Sequence, residues 1–350
     1  MSRQTALDAI NLQMGNNIAH AEYSMQYHTD IYEKVTGSKT VQNNLLGKVY
    51  DACGLDFLWT TDDGLHGEWR NRGRCTDMGH AAYANDGHDQ TEIKPCPFKN
   101  ESEVWAFDPV TEYGLPDFQE QTKAYENLLI RRREMYPNQL SPGGYYKSII
   151  SGAIQAFGWD MLLLSAIDEK KFEKVLDGFF RFTLHHMNAW AATSAEVIIQ
   201  HDDFVWSNGP FINPEFYRNV IIPRYAELWK VLKKAGKKVL FCSDGKYTLF
   251  MDDIVQAGAD GLMFEPMNDF EPIVERYGAS HCLVGSAVDC VDLTLGKWDK
   301  VKSDMLDTFR LAKKCKGLIF TVGNHIPSNV PAFIRDKYFD FFRANRVLSD

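Results

Sequence analysis

Residues 238–266 read KVLFCSDGKYTLFMDDIVQAGADGLMFEP, two short apolar runs separated by one amphipathic helical pattern. The first run breaks at Cys242-Ser243-Asp244-Gly245, the helical pattern closes on Gly258, and the second run breaks at Glu265-Pro266. An apolar run with no polar alternation, followed by a turn and a helix, reads as a strand covered on both faces. Such strands pair in parallel and use helices as crossovers. The same unit recurs on either side. AEVIIQ leads through HDDFVWSNGP into EFYRNVIIPRYAELWKVLKKAG, which Asn213-Pro214 opens, Gly236 closes, and Pro223 should kink or split. CLVGSA is followed by KWDKVKSDMLDTFRLAKKC, and GLIFTV by PAFIRDKYFDFFRAN.

Strands at a spacing of about 20 to 35 residues leave two α/β architectures, doubly wound or barrel. No G-x-G-x-x-G follows any of these strands and there is no P-loop, which weighs against a nucleotide-binding sheet. The expected fold is therefore a (β/α)8 TIM barrel, with its chemistry where strands end and loops begin. Earlier strand candidates are DFLWTTDD, VWAFDP and YYKSIISGAI. Residues 1 to about 50 read as a helical N-terminal extension, and residues 1–350 as a single TIM-barrel domain.

A chain of 350 residues, 45% of them hydrophobic, can bury one large core. A formal net charge of -9, with no Lys/Arg-rich block, argues against nucleic acid or an anionic membrane as partner. The first thirty residues lack the basic start and apolar stretch of a signal peptide, and no window has the run of apolar residues a membrane helix needs. Seven scattered cysteines with no C-x-x-C pair fit free thiols in a reducing compartment, so the expected localisation is cytoplasmic.

The polar residues that follow the apolar runs form a biased set: His201-Asp202-Asp203, Cys242-Ser243-Asp244, Glu265, Ser286 with Asp289, and Asn324-His325. A barrel would bring them to one pocket, where several acids and a histidine suit acid–base or metal-assisted chemistry. Each acid alone could also cap a turn or helix, and neighbouring Asp202 and Asp203 cannot both point inward. Glu265 at the end of a buried strand must be paired or protonated. Cys242 and Cys290 could bind zinc or attack a substrate, but no basic neighbour in the local sequence lowers either thiol. Trp59, Tyr83, Trp105, Tyr145, Tyr146 and Trp206 lie near expected strand ends or loops and could line a pocket for a flat ligand.

Taken together, HDDFVWSNGPFINPEF, FCSDG, LMFEP, YGASHCLVGSAVD and GNHIPSNVP resemble the uroporphyrinogen decarboxylase superfamily, in particular its corrinoid-dependent methyltransferase branch. The likeness covers roughly residues 75–345 and is strongest from 196 onward. The resemblance implies a (β/α)8 barrel. The decarboxylases of this superfamily carry an N-terminal Arg-rich segment that clamps a porphyrinogen's carboxylates, and this sequence lacks it. Arg131-Arg132-Arg133 reads instead as a solvated helix face. The branch that methylates a thiol holds zinc with His-x-Cys and a later Cys. The matching places here read Cys242-Ser243-Asp244 and Gly323-Asn324-His325, so that set is absent.

A third branch, with His-Ser-Asp-Gly and a later Glu-Pro, is similar to Cys242-Ser243-Asp244-Gly245 and Glu265-Pro266, with Cys242 departing from the branch's His. It includes the first methyltransferases of O-demethylase systems. The resemblance implies transfer of methyl from a small aromatic methyl donor, an aryl methyl ether, to the corrinoid (cobalamin) of a partner corrinoid protein. In that reading Asp244, Glu265 and His325 are catalytic, and Asp202, Asp203, Cys242, Ser286, Asp289 and Asn324 bind substrate. Zinc is an alternative means of polarising the leaving oxygen, held by Asp244, Glu265 and His325, or by Asp289 with His325. A decarboxylase of a smaller substrate, or a barrel that only binds a ligand, are the competing readings.

Overall fold

Seven parallel strands form one sheet in the order β1-β7-β6-β5-β4-β3-β2 in the computed structural model, which describes residues 2–61, 68–76, 78, 95–146 and 148–348. The strands are β1 (Ala19–His20), β2 (Gly143–Tyr146), β3 (Val197–His201), β4 (Lys238–Cys242), β5 (Gly261–Met263), β6 (Cys282–Val284) and β7 (Leu318–Phe320). The two edges meet through a single residue: Phe57 bridges in parallel to Ala21 just after β1 and to Leu140 just before β2. The Asp56 and Phe57 amides donate to the His20 carbonyl, the Leu58 amide donates to the Leu140 carbonyl, and the Leu140 amide donates to the Asp56 carbonyl. Phe57 is thus the eighth stave, and the ring is the expected (β/α)8 barrel.

Strand alternation sorts the side chains into two cores. Ile199, Leu240, Cys242, Met263, Val284 and Ile319 pack together inside the ring, with Ala19, Ala21 and Phe57. Ile198, Phe241, Leu262, Leu283 and Phe320 alternate with them and face the helices. Burying one such large side chain contributes roughly 1.5–3 kcal/mol, so register is strongly fixed: a one-residue slip would invert both faces.

Expectation and structure differ in several places: of YYKSIISGAI only Tyr145 and Tyr146 lie in a strand, and the helix Ile150–Ala166 takes over its end. VWAFDP is helical, in Glu101–Trp105 and Pro109–Tyr113, because Asn100 and Asp108 accept amide hydrogen bonds as N-caps and Pro109 starts the second helix. The first fifty residues contain the helices Arg3–Ile10, Thr29–Thr36 and Leu46–Cys53, and they also supply β1, a strand of two residues too short to leave a period in the sequence. Arg132 is half-buried rather than solvated, reaching Thr60 Oγ1 at 3.1 Å. The helix carrying Pro223 does change character there: a π-helical segment, Tyr217–Ile221, precedes the α-helix Ile222–Lys234. A proline near a helix start removes a donor that the wider π turn no longer needs.

Among the described residues no helix is long and apolar enough to cross a membrane.

Candidate active site

The inward-facing positions at the carboxyl ends of the strands follow from the same alternation. Tyr146 ends β2, His201 ends β3 and Cys242 ends β4, each paired across the ladder with the next. Two residues further along, Asp203, Asp244 and Glu265 keep the inward parity of His201, Cys242 and Met263. Asp203 is the centre of this layer. Its carboxylate lies 2.9 Å from His201 Nε2, accepts the Tyr146 hydroxyl at 2.6 Å and accepts the Asp244 amide at 3.0 Å.

Glu265 Oε2 accepts the Gly245 amide at 2.7 Å, fastening the β4 exit to the β5 exit. Gly245 has φ +84°, and a Cβ there would sit 2.7 Å from the Trp206 carbonyl oxygen, so both backbone geometry and space require glycine. Asn324 reaches across from the β7 exit. Its Nδ2 lies 3.3 Å from both Asp244 Oδ2 and Glu265 Oε1, and its backbone holds φ +69°, an uncommon conformation for a side-chain-bearing residue.

Electrostatics pull the acids apart. Burial pushes the Asp244 carboxyl well above the usual carboxylate range, and the neighbouring Asp203 charge adds to this, with Glu265 contributing further. Burial alone would also raise Asp203, but the facing His201 imidazolium and the Tyr146 hydroxyl hold it well below that range. Burial would lower His201; Cys242 and Asp203 beside it outweigh that and keep it well above its ordinary value. Since burial pushes the Cys242 thiol up, the charge facing His201 at neutral pH is that of Asp203. The site therefore holds an imidazolium–carboxylate pair beside a protonated acid, the separation of roles that acid–base chemistry uses.

The structure does not bring all the expected residues into this cluster. Asp202 is fully buried and points outward: its oxygens accept the Ser148 and Tyr225 hydroxyls and the amides of Ile149, Ile150 and Ser151. It anchors the start of the helix Ile150–Ala166 to the barrel and is turned away from the acid cluster. Ser286 donates to the Thr321 carbonyl and accepts the Val288 amide, tying β6 to β7. Asp289 caps the short helix Cys290–Thr294 through the Val291 amide. Cys242 is buried on the inner wall beside His201, and burial pushes the Cys290 thiol up to about 12, so neither is a ready nucleophile. His325 turns to Asn324, with Nδ1 2.5 Å from Asn324 Oδ1, and burial lowers its basicity.

Sequence reasoning undervalued His201 and Tyr146, which it saw only as a strand-end histidine and an aromatic. It missed Ser151, which accepts the Asp203 amide at 2.5 Å, and Asn268. Asn268 is fully buried, accepts the Tyr247 and Thr248 amides and donates to the Gly245 and Glu265 carbonyls, clamping two loops together. The only advance signal was a polar residue three places beyond Glu265. Of the aromatics expected near a pocket, Tyr83 lies outside the described residues.

The zinc set expected from the sequence, Asp244, Glu265 and His325, is not the one this fold assembles. Among the described residues the group able to share an ion is His201, Asp203 and Asp244, whose donor atoms lie within 4.8 Å of one another. The left-handed turn at Asn324 directs the His325 ring to the asparagine instead. One nitrogen and two oxygens are acceptable donors for Zn²⁺.

Acids gathered at the carboxyl ends of eight parallel staves define the class: a (β/α)8 barrel with its candidate active site on the usual face. The chain belongs to the uroporphyrinogen decarboxylase (URO-D) family, whose model matches residues 154–334, a span that includes β3 to β7 and the whole acid cluster. Among solved structures, a methyltransferase from Methanosarcina mazei superposes with a TM-score of 0.66 at 15% identity, covering 99% of this chain and 98% of that one. A β-mannanase from the blue mussel Mytilus edulis gives a TM-score of 0.43 at 10% identity, over 93% of this chain and 92% of that one. A xylose isomerase-like TIM barrel protein from Mycobacterium smegmatis, in complex with magnesium, gives 0.38 at 12% identity, over 99% of each. No curated protein matches the sequence.

Proposed function

We propose that the chain is a methyltransferase that takes methyl from an aryl methyl ether and passes it to the Co(I) corrinoid of a partner protein. The observation that carries this reading is Asp244: a carboxyl kept protonated by burial and by Asp203, at the inner rim of the barrel. Breaking a methyl ether in an in-line displacement leaves an electron pair on oxygen, and a phenol oxygen, with a pKa of about 10, departs once a proton or hydrogen bond meets it. Asp244 supplies that proton as the carbon–oxygen bond breaks and the methyl–cobalt bond forms, and solvent returns the proton to it.

Asn324 holds the acid in place through Asp244 Oδ2, and burial with the neighbouring Asp203 charge keeps it protonated, against the opposing pull of His201. Where a divalent ion is bound, His201, Asp203 and Asp244 would hold it, and it would supply a Lewis acid for the leaving oxygen.

Among the described residues no Lys or Arg forms an ion pair with Asp203, Asp244 or Glu265; the one partner in such range is His201. The Methanosarcina mazei methyltransferase shares this barrel over nearly its whole length. The test mixes the protein with a reduced corrinoid protein and an aryl methyl ether and follows loss of the Co(I) absorption. No loss with aryl methyl ethers, methylamines or methanol would overturn the reading. Release of CO2 from a small carboxylic acid without corrinoid would replace it with decarboxylation.

A further inference from the structure

Behind the β7 exit lies a fully buried carboxyl that the chemistry above does not use. Glu22 follows β1 and faces the helix Ala332–Asn345 rather than the barrel interior. Its Oε1 accepts the Tyr338 hydroxyl and lies 2.9 Å from His20 Nε2. The Val322 amide donates to both carboxyl oxygens, at 3.2 and 3.3 Å, and Thr321 Oγ1 donates to Oε2 at 3.3 Å. From the opposite side, Gly323 is pressed against Pro266: a Cβ on Gly323 would lie 2.0 Å from Pro266 Cδ. The backbone that delivers Asn324 is therefore wedged between Glu22 and the Glu265-Pro266 turn.

We propose that Glu22 is a positioning residue for the candidate site: by fixing the Val322 amide it sets the reach of Asn324 to Asp244 and Glu265. The inference rests on reading those two acids as the working pair, and it holds for any substrate they act on. Burial raises Glu22 to about 8 against the pull of Tyr338, Val322 and Thr321, while burial, with Arg346 and Arg343 beyond it, holds His20 well below its ordinary value. The proton at neutral pH thus sits on Glu22. His20 Nδ1 is buried with no partner among the described residues, so an imidazolium there would have no second acceptor. The other titratable groups that feel Glu22 are Tyr338 from the last helix and Tyr50 and Cys53 from Leu46–Cys53, all of them pushed up by burial and neutral. Loss of the Glu22 proton places an uncompensated charge behind Val322 and should shift the Asn324–His325 pair.

The experiment follows His325 by ¹⁵N NMR of the full chain labelled at histidine, the signal being identified with His325→Gln. In the wild-type protein it should move with a midpoint near pH 8, above the range in which His325 itself titrates. Glu22→Gln should abolish that step and leave the signal where the wild type shows it at neutral pH; Glu22→Ala should displace it at every pH. Steps due to Asp244 or His201, on the far side of Asn324, persist in Glu22→Gln and so are told apart. A wild-type signal without the step, or a pH dependence that Glu22→Gln leaves unchanged, overturns the proposal. Should Glu22→Ala fail to fold, the Gln comparison decides alone. If no methyl transfer occurs but the step is present and Glu22-dependent, the methyl-transfer reading fails and the positioning role stands.

Discussion

The Asn324 side-chain amide stands 3.3 Å from Asp244 Oδ2 and thereby links the β7 exit to the β4 exit across the mouth of the barrel. Because the same nitrogen is equally far from Glu265 Oε1, one residue sets the spacing of both acids. The left-handed φ of +69° that allows this reach can be separated from the hydrogen bonds. Asn324→Gly keeps the backbone and loses the bridge. It should fold with stability within about 1 kcal/mol of wild type by urea titration. Its rate in the proposed methyl-transfer assay should fall at least tenfold. Asn324→Ala should lose a further 1–2 kcal/mol, roughly the cost of a side chain with a Cβ in that region.

Asp244→Asn removes the proton while keeping size and the contact to Asn324. The expected loss in kcat is about 10²- to 10⁴-fold, the range for a positioned general acid. The pH profile gives the sign. In the proposed mechanism the acid must be protonated to act, and burial holds its pKa well above the usual carboxylate value, so the wild-type rate should hold through acidic pH and fall as pH rises through that raised value. Asp244→Asn should show only a residual rate without this limb. An unchanged alkaline limb in the variant would assign it to another group.

How much of this was legible beforehand depends on the length of the pattern. From residue 197 onward each strand–helix unit is long enough to show its period, and the barrel followed. β1 is two residues and the eighth stave one, so neither has a period to read; only closure of the ring reveals them. The acids at the strand ends were visible as types. Which of Asp202 and Asp203 turns inward is a matter of parity, and parity requires knowing that His201, not Gln200, faces the barrel interior. Gln200 faces outward to Trp229, which donates to its Oε1. The roles of Asn268 and Glu22 depend on contacts such as those to Thr248 and Tyr338, 20 and 316 residues away in sequence, which no local pattern carries.

Asp202 should be a stability residue. Its carboxylate collects hydroxyl and amide donors at the start of a buried helix, and Asp202→Ala strands all of these buried donors. The expected cost is roughly 3–5 kcal/mol, as for a buried charge network that loses one partner. Urea midpoints measure it. Residual activity per folded molecule should stay close to wild type, unlike the effect of Asp203→Asn.

Glu22 makes stability depend on pH with a defined sign. Folding raises its pKa from 4.5 to about 8, so the native state binds the proton more tightly than the unfolded chain. That stabilisation is complete below the lower value and is lost progressively as pH rises to the upper one, by up to ~1.4 kcal/mol per unit. Glu22→Gln cannot ionise, so its unfolding free energy should gain on that of wild type as pH rises from 4.5 to about 8 and stay level above that, when urea curves are compared at matched pH.

Metal binding offers an independent check on which residues share an ion. If His201, Asp203 and Asp244 hold Zn²⁺, the ion must displace the protons that His201 and Asp244 carry at neutral pH, both being held well above their ordinary values. Zinc titration calorimetry should then give a heat that varies with buffer ionisation enthalpy, reporting proton release, and the apparent affinity should rise with pH. His201→Ala and Asp203→Asn should each weaken binding at least tenfold. His325→Ala should leave it nearly unchanged, since that ring is turned to Asn324. If His325→Ala weakens zinc and His201→Ala does not, the ion sits nearer the β7 exit, with the ligand set Asp244, Glu265 and His325. In either set Asp244 is a ligand, and while the ion is bound it has no proton to donate.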